Sequence, residues 1–432
     1  MTILLAVALF GYNSYFCNLH SHTSYSDGTG LPSEAYSYAR DSARIDVLAL
    51  TDHTSYLNAG TYAQERELAI EMTEPGRFVA LAGQEFGSLS AFGHFTIYDA
   101  DSLCPVSVSD LTRFYQWISR LKEPVQFNHP RVGDFSDFAY DRAADAYATT
   151  LEVVNGSGMY TPVYEDMFVL ALRNGWHVAP VANQDNHSRM WGNAPNDSGQ
   201  IPLTGVWADT LTREAILDGL LHRRVYATEV KPANDRIVLR DFRIGSLEMG
   251  MTGVLADTVA ELRVELEAES AFRQVYLYRS GVLFDSAAAS SLDTNHVVWN
   301  LNVPVTNDFF FVKAEQKDHD HLWSAPIWLS YQAPPRGLEF HPNPFGVSTS
   351  VVCATDSLAV TGGDLDVFDA SGLAIWHAAV PAQPAGAVRV SWDGHDLKDR
   401  LMPNGVYLVR LSLNYTGRKG ADQRYGKVAI ER

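Results

Sequence analysis

Short apolar runs alternate with helical patterns through the first half of the chain, and this alternation limits its fold more than any other feature. The runs are Asp46–Leu50, Phe78–Ala82, Val125–Phe127, Leu151–Val154 and Val178–Ala182. Strands that are apolar on both faces are typical of parallel sheets covered by helices. Helices are predicted near Pro32, Ala35 and Ala39, on the face formed by Leu111, Phe114, Ile118 and Leu121, and from Thr161 (N-cap) and Pro162 to Gly175. The sequence predicts a parallel sheet or barrel over residues 12–232.

Histidine and acidic residues follow these runs at their carboxyl ends. His20 and His22 follow Tyr15–Phe16, and the later run ends carry Asp52, His53, Glu85, His129, Asp185 and His187. The carboxyl ends of parallel barrel strands lie on one rim, where barrel enzymes place their active sites. Imidazoles and carboxylates without thiolates suit zinc, manganese or iron. The set is larger than one tetrahedral ion can use, so it predicts two or three divalent metal ions and suits hydrolysis of a phosphate ester.

The charge of the chain excludes some partners. Its 432 residues include 33 Lys and Arg against 51 Asp and Glu, which gives a formal net charge of −18. This excess of acid disfavours nucleic acid as a bulk polyanion and anionic membranes. Cys17, Cys104 and Cys353 have neither disulfide-framework nor metal-site spacing. Apart from Met1–Phe10, which is either a short or clipped export signal or a buried first strand, no apolar run approaches the length of a membrane span.

The spelling of the first motifs resembles a known family. NLHSHTSYSDG (residues 18–28) followed by LALTDH resembles the opening of the polymerase-and-histidinol-phosphatase (PHP) family. GQEF, GHF, FNHP and RRVYATE are most similar to the CehA/McbA-like metallohydrolases of that family. The resemblance covers Tyr15 to Lys231. It implies a distorted (β/α)7 barrel with a trinuclear metal centre at the carboxyl ends of the strands.

The resemblance also implies which residues bind which metal. One metal would be bound by His20, His22, Glu85 and Asp185; the second by Glu85, His94 and His129; the third by Asp27, His53 and His187. Many relatives have histidine at the position of Asp27. His94 rests on the resemblance alone. Asp52 is predicted to orient an imidazole rather than to bind metal.

Other polar residues near these motifs have open roles. Arg131 and Arg189 follow the histidine motifs and would either contact a substrate phosphate or carboxylate or be ordinary surface arginines. Glu152 would either support a ligand or be a carboxylate of the rim. His177 and His222 are predicted to be surface or helix residues.

After Lys231 the pattern changes to short β-rich segments. We predict a β-sandwich over residues 234–332, in which Trp323–Leu329 is a buried strand, and a linker over Gln332–Pro344. Residues 337–432 carry FHPNPF, VFDASG, WDGHDLKDRLMPNGVYLVRL and YGKVAIER, which resemble the immunoglobulin-like C-terminal sorting domain of type IX secretion. This resemblance implies recognition by a secretion machinery and export to the periplasm, the cell surface or the medium.

Three functions are compatible with these patterns. The first is an exported phosphoesterase that attacks a small phosphorylated substrate with a metal-bound hydroxide at a di- or trinuclear centre. The second is a carbamate, amide or ester hydrolase that uses the same metals. The third is a non-catalytic, surface-displayed binding protein, in which a relict barrel should have lost ligands, whereas here each matched position holds a competent one.

Overall fold

The computed structural model describes residues 11–231, 236–255, 257–288, 295–331, 337–355, 358–417 and 420–432. The predicted Met1–Phe10 segment lies outside these residues. The chain forms two compact units: the first is the chain up to Gly253 with Glu261–Val303 and Asp308–Trp328, and the second is Val254–Ala260, Pro304–Asn307 and Leu329–Arg432. The protein is multidomain and mostly β. The predicted domain boundaries at residues 232, 234, 332 and 337 stay predictions.

The first 220 described residues alternate strands with helices. The elements are β1 (Asn13–Asn18), α1 (Pro32–Tyr38), β2 (Val47–Leu50), α2 (Ala59–Met72), β3 (Val79–Ser88), β4 (Gly93–Tyr98), α3 (Leu111–Leu121), β5 (Val125–Asn128), α4 (Phe135–Phe138), β6 (Ala148–Asn155), α5 (Thr161–Arg173), β7 (Ala179–Asn183), β8 (Ile201–Ala208), α6 (Arg213–Leu221) and β9 (Val225–Val230). A π-helical turn, Ala39–Ala43, extends α1. Helix α5 begins at Thr161 itself, with Tyr160 at the cap position that we had predicted for Thr161.

The sheet of this region is mixed, so the prediction of a wholly parallel sheet is corrected. Strands β1, β2 and β3 are parallel, as are β5, β6 and β7. Strand β4 is antiparallel to both β3 and β5, because the short turn between β3 and β4 leaves no room for a crossover connection. Strand β8 is antiparallel to β1, and its Thr204 hydroxyl hydrogen-bonds to the backbone of Ala182 in β7. The sheet therefore curves until β7 lies against β8.

Aromatic residues form the core between this sheet and α3. The Phe114 ring of α3 lies 4.4 Å from the Phe95 ring of β4, and Phe127 of β5 lies 5.2 Å from Trp176. Asp110 caps α3 by accepting a hydrogen bond from the Arg113 backbone N–H. Burying these apolar faces fixes the strands and leaves the polar residues at their ends to meet.

Described residues between 236 and 331 form ten strands. They are β10 (Val238–Ile244), β11 (Leu247–Glu248), β12 (Thr252–Leu255), β13 (Val259–Glu267), β14 (Phe272–Arg279), β15 (Val282–Ala288), β16 (His296–Pro304), β17 (Asp308–Gln316), β18 (His321–Ser324) and β19 (Ile327–Tyr331). Strand β18 pairs with β9, so β14, β17 and β18 continue the first sheet. The predicted Trp323–Leu329 strand is two strands, because Ala325 and Pro326 interrupt it and proline has no N–H for a ladder.

The described residues from 337 to 432, which belong to the second unit, form two sheets. Their strands are β20 (Glu339–His341), β21 (Thr349–Ala354), β22 (Val360–Phe368), β23 (Ala374–Val380), β24 (Ala387–Trp392), β25 (Gly405–Tyr415) and β26 (Asp422–Ile430). Strands β20, β21 and β24 form one sheet, and β23, β22, β25 and β26 form the other. Part of the predicted linker is strand β20, because Phe340 is buried in the core of this unit.

None of the described helices has the length and apolar character that crossing a membrane requires.

Buried Glu229 on β9 makes a testable contribution to stability. Its Oε1 accepts a hydrogen bond from Asn196 Nδ2 at 2.9 Å, and burial raises the pKa of its carboxyl to about 7. The pKa of this carboxyl is higher in the folded protein than in the unfolded chain. Its contribution to the free energy of unfolding is therefore fully present at low pH and is lost as the pH rises through about 7. We expect the free energy of unfolding of Glu229→Gln, measured relative to that of wild type, to be about 2 kcal/mol larger at about pH 8 than at about pH 5. Thermal unfolding of both proteins measures this, and an equal difference at the two pH values would contradict it.

Candidate metal centre

Nine histidine, aspartate and glutamate side chains converge in the first unit and form the metal centre discussed below. They are His20, His22 and Asp27 after β1, His53 after β2, Glu85 on β3, His94 on β4, His129 after β5, and Asp185 and His187 after β7. The structure thus brings together all nine residues that the sequence predicts as ligands. One detail differs: Glu85 lies inside β3 rather than at its end, because that strand continues into the hairpin with β4.

Glu85 lies at the middle of the centre, and its side chain is only 1% exposed. Its two carboxylate oxygens contact five imidazoles: Oε1 lies 3.3 Å from His20 Nε2, 3.1 Å from His94 Nδ1 and 3.1 Å from His129 Nε2, and Oε2 lies 3.4 Å from His22 Nε2 and 3.0 Å from His53 Nδ1. One carboxylate in contact with five imidazoles has the placement of a bridging ligand.

The other two carboxylates lie on either side of Glu85. Asp185 Oδ1 lies 3.4 Å from His20 Nε2 and 3.1 Å from His22 Nε2. Asp27 Oδ1 lies 3.2 Å from His187 Nε2, and its Oδ2 lies 3.6 Å from His53 Nε2.

The ligand atoms fall into three groups, each within 4.8 Å. The groups are His20, His22 and Asp185; His53, Glu85 and His94; and His22, Asp27, His53 and His187. They differ from the predicted sets in three ways, the first being that Glu85 is absent from the group of His20, His22 and Asp185. His129 contacts Glu85 but belongs to no group, and His22 and His53 are each shared between two groups. Shared ligands place the groups directly beside one another.

The donor set fits divalent cations. His94 Nδ1 and Asp185 Oδ1 are buried, and each lies 3.1 Å from a side-chain atom of the centre without the geometry of a hydrogen bond, which is costly unless something else coordinates them. Burial alone would lower the pKa of His20, but the carboxylates of Asp185, Glu85 and Glu152 raise it well above its ordinary value. The centre therefore attracts positive charge, and its nitrogen and oxygen donors suit divalent metal ions.

Buried Glu152 on β6 supports two of these histidines. Its Oε1 accepts a hydrogen bond from His20 Nδ1 at 2.9 Å, and its Oε2 accepts one from the His129 backbone N–H at 2.7 Å. Three amide side chains also donate to it, from Gln126, Asn155 and Asn183. Holding the proton on His20 Nδ1 leaves Nε2 free to face the centre. The sequence left Glu152 open between a supporting role and a rim position, and these contacts favour support.

Asp52, which the sequence predicts to orient an imidazole, is hydrogen-bonded to the loop that follows His22. Its carboxylate accepts hydrogen bonds from the Thr23 N–H at 2.8 Å, the Thr23 hydroxyl at 2.6 Å and the Ser26 hydroxyl. The Ser26 oxygen lies 3.4 Å from His22 Nδ1, so Asp52 acts on His22 through that loop. The loop folds closely onto His22: a Cβ at Gly28 would lie 2.7 Å from the His22 carbonyl carbon, so glycine is needed there.

Backbone geometry also marks this centre. His129 and Asp185 have positive φ angles of 29° and 45°, a conformation that non-glycine residues rarely adopt. Backbone hydrogen bonds hold the two ends of the region together: the His22 N–H donates to the Asn186 carbonyl, and the Asp185 N–H donates to the His20 carbonyl. Strained backbone of this kind is typical of functional sites.

The remaining predicted polar residues lie around or away from the centre. Arg131 Nε lies 3.3 Å from Asp134 Oδ2, and an Arg189 nitrogen lies 3.6 Å from Glu34 Oε2. Both arginines are exposed and remain candidates for substrate contact. His177 bonds to Asp145, and His222 is exposed beside Asp218 at the end of α6, so neither belongs to the centre.

Three solved structures are similar to parts of this chain. A two-domain protein from Bacteroides vulgatus, described as containing a predicted PHP-like metal-dependent phosphoesterase, matches 73% of this chain and 96% of its own, with 15% identity and a TM-score of 0.42. An amidohydrolase from Chromobacterium violaceum matches 40% and 87%, with 16% identity and a TM-score of 0.27. Dimeric latent PorU from Porphyromonas gingivalis matches 55% and 25%, with 10% identity and a TM-score of 0.20.

Comparison by sequence identifies only the C-terminal part. No curated protein matches the chain. The family model for the FlgD Ig-like domain matches residues 348–417, which form strands β21 to β25. Export and recognition by a secretion machinery stay predictions. At its C-terminus the chain contains an FlgD Ig-like domain.

Proposed function

We propose that the first unit is a metal-dependent hydrolase of the PHP type, a distorted (β/α)7 barrel that hydrolyses phosphoesters with two or three divalent cations. The observation that carries this proposal is the convergence of nine ligand-type side chains around the buried carboxylate of Glu85. The curvature of the sheet, with β7 against β8, supports the barrel.

The number of cations is proposed from the shared ligands. Groups that share His22 and His53 would place their cations side by side, and Glu85 contacts five of the six imidazoles of the centre. Adjacent divalent ions supply Lewis acidity, activate water and neutralise charge on a phosphoryl group during in-line displacement. This chemistry suits a phosphoester, which we propose as the substrate; paired ions also serve enzymes that cleave amide bonds, so the carbamate, amide or carboxyl ester is the alternative.

Residues of the chain would orient the metal ligands and limit the access of substrate to the centre. His20 and His22 are fully buried, whereas the side chains of Asp27 and His187 are each 41% exposed. A substrate would therefore approach from the side of Asp27 and His187. Glu152 fixes the proton on His20 Nδ1, and Asp52 holds the loop that carries Ser26 against His22.

Metal removal tests this proposal. We expect the purified protein to contain about two or three divalent ions per chain and to lose at least about 99% of its phosphoesterase activity after exhaustive chelation. Adding back manganese, zinc or iron should restore the activity. The measurements are elemental analysis and turnover of a panel of phosphomonoesters, phosphodiesters, carbamates and carboxyl esters.

Two outcomes would contradict the proposal. Full activity in protein that elemental analysis shows to be free of metal would exclude a metal-dependent hydrolase. Metal-dependent turnover of only the carbamates or carboxyl esters would support the metal centre but show that it hydrolyses those bonds rather than phosphoesters.

A further inference from the structure

Most of the exposed large apolar side chains in described residues 11–231 lie on loops around the metal centre. Among described residues 11–231, ten large apolar side chains are exposed, and six of them lie on loops that adjoin residues of the centre or Glu152. These six, which we call the apolar rim, are Tyr56, Leu89, Val132, Met159, Tyr160 and Met190. Single exposed apolar residues are common on proteins, but their concentration around one site indicates a binding surface.

The apolar rim lies within reach of the centre. Tyr56, Val132 and Met190 each come three residues after a histidine of the centre, a distance along the chain of at most about 10 Å. The Tyr56 ring lies 6.2 Å from the His53 ring. Leu89 lies in the turn between Glu85 and His94, and Met159 and Tyr160 follow the strand that carries Glu152.

Hydrogen bonds fix the loops that carry these side chains. The Arg131 guanidinium donates to the Leu89 carbonyl at 2.8 Å, which ties the loop of Val132 to the β3–β4 turn. The Tyr56 and Leu57 N–H groups donate to the His53 carbonyl. The Asn186 amide donates to the Ser188 carbonyl at 2.7 Å beside Met190. The apolar side chains are thus held at the rim while staying exposed; that of Val132 is 78% exposed.

The centre and the apolar rim differ in the chemistry that they would bind. The centre is lined by carboxylates and imidazoles and suits an anionic group bound through cations. The rim offers aromatic rings, thioethers and aliphatic side chains, which suit apolar carbon. One molecule that satisfies both is an ester with an anionic head and an apolar alcohol portion.

We infer that the substrate is an amphiphilic phosphoester whose alkyl or aryl alcohol portion lies on the apolar rim; this inference rests on the proposed function. The occupant of the rim is thus the leaving group of the substrate itself. The rim contributes specificity, because each methylene that it covers adds to binding.

Binding of alkylphosphonic acids tests this inference without turnover. The full-length, metal-loaded protein is titrated calorimetrically with the unbranched series from methyl- to octylphosphonic acid. We expect Kd to fall about twofold for each added methylene. The double variant Tyr56→Ser/Met190→Ser should lose most of this dependence on chain length, and Ile70→Ser, an exposed residue on α2, should keep it.

Several results would overturn the inference. One is a Kd that does not change with chain length in the wild type, and another is an unchanged dependence in the double variant. A dimer that dissociates in the double variant would assign the rim to a second copy, and rim-dependent binding to phosphatidylcholine vesicles would assign it to a membrane. Turnover of short phosphoesters with a flat binding series would leave the proposed function intact and overturn only the inference, whereas chain-length-dependent binding without turnover of any ester would overturn the proposed function and, with it, the assignment of the rim ligand as a substrate.

Discussion

Glu85→Ala is expected to reduce turnover at least about a thousandfold and to remove at least about one metal ion per chain. The carboxylate contacts five imidazoles, so its loss removes a group in contact with five of the eight other side chains of the centre. Elemental analysis gives the metal content, and turnover of the best substrate of the panel gives the activity. Circular dichroism shows whether the variant is folded.

The matched control is Glu71→Ala on the exposed face of α2. It removes the same chemical group and should leave metal content and turnover unchanged. A folded, metal-free Glu85→Ala protein that keeps its activity would falsify the proposed function.

Glu152→Gln is expected to weaken metal binding about 10–100-fold, although Glu152 is not itself predicted to bind metal. Five donors surround its carboxylate, and an amide would place a new donor among them. His20 would then lose the acceptor that holds its Nδ1 proton. We also expect a loss of about 2 kcal/mol in the free energy of unfolding, because one buried donor loses its partner.

Metal titration separates positioning from general damage. If Glu152 positions His20, excess metal should restore most of the turnover of Glu152→Gln, while its activity at limiting metal stays low. Glu67→Gln on the exposed face of α2 is the control and should match wild type at both metal concentrations. An unchanged metal affinity in folded Glu152→Gln would rule out the positioning role.

Much of the centre was predictable because its residues come directly after apolar runs. His53 and His129 follow buried strands by one to three residues, and those strands, β2 and β5, run in the same direction within the sheet, so both residues lie at one edge of it. His94 had no such signal, since it lies near the start of β4, a strand that only the hairpin with β3 brings to the centre. Glu152 was ambiguous because a strand-end carboxylate looks the same in sequence whether it faces five donors or solvent.

The fold was predictable where apolar periods were regular. The face formed by Leu111, Phe114, Ile118 and Leu121 corresponds to α3, whose bounds are Leu111–Leu121. Helix α2 was not predicted, because its buried face includes Glu65 between Tyr62 and Ala69 and so breaks the apolar period. The pairing of β18 with β9 joins residues about 90 apart, and local sequence patterns carry no information about such pairings.

The hydrogen bonds between the segment around His20 and the segment around Asp185 have a consequence for the order of folding. The Leu19 N–H donates to Asn183 Oδ1 across 164 residues of chain, and His22 and Asn186 are joined in the same way. The centre is therefore complete only after Asp185, one of the last ligands to be synthesised, has joined His20 and His22, which are the first. Because metal binding requires closure of the whole curved sheet, the cations would stabilise the entire first unit against unfolding rather than a single loop.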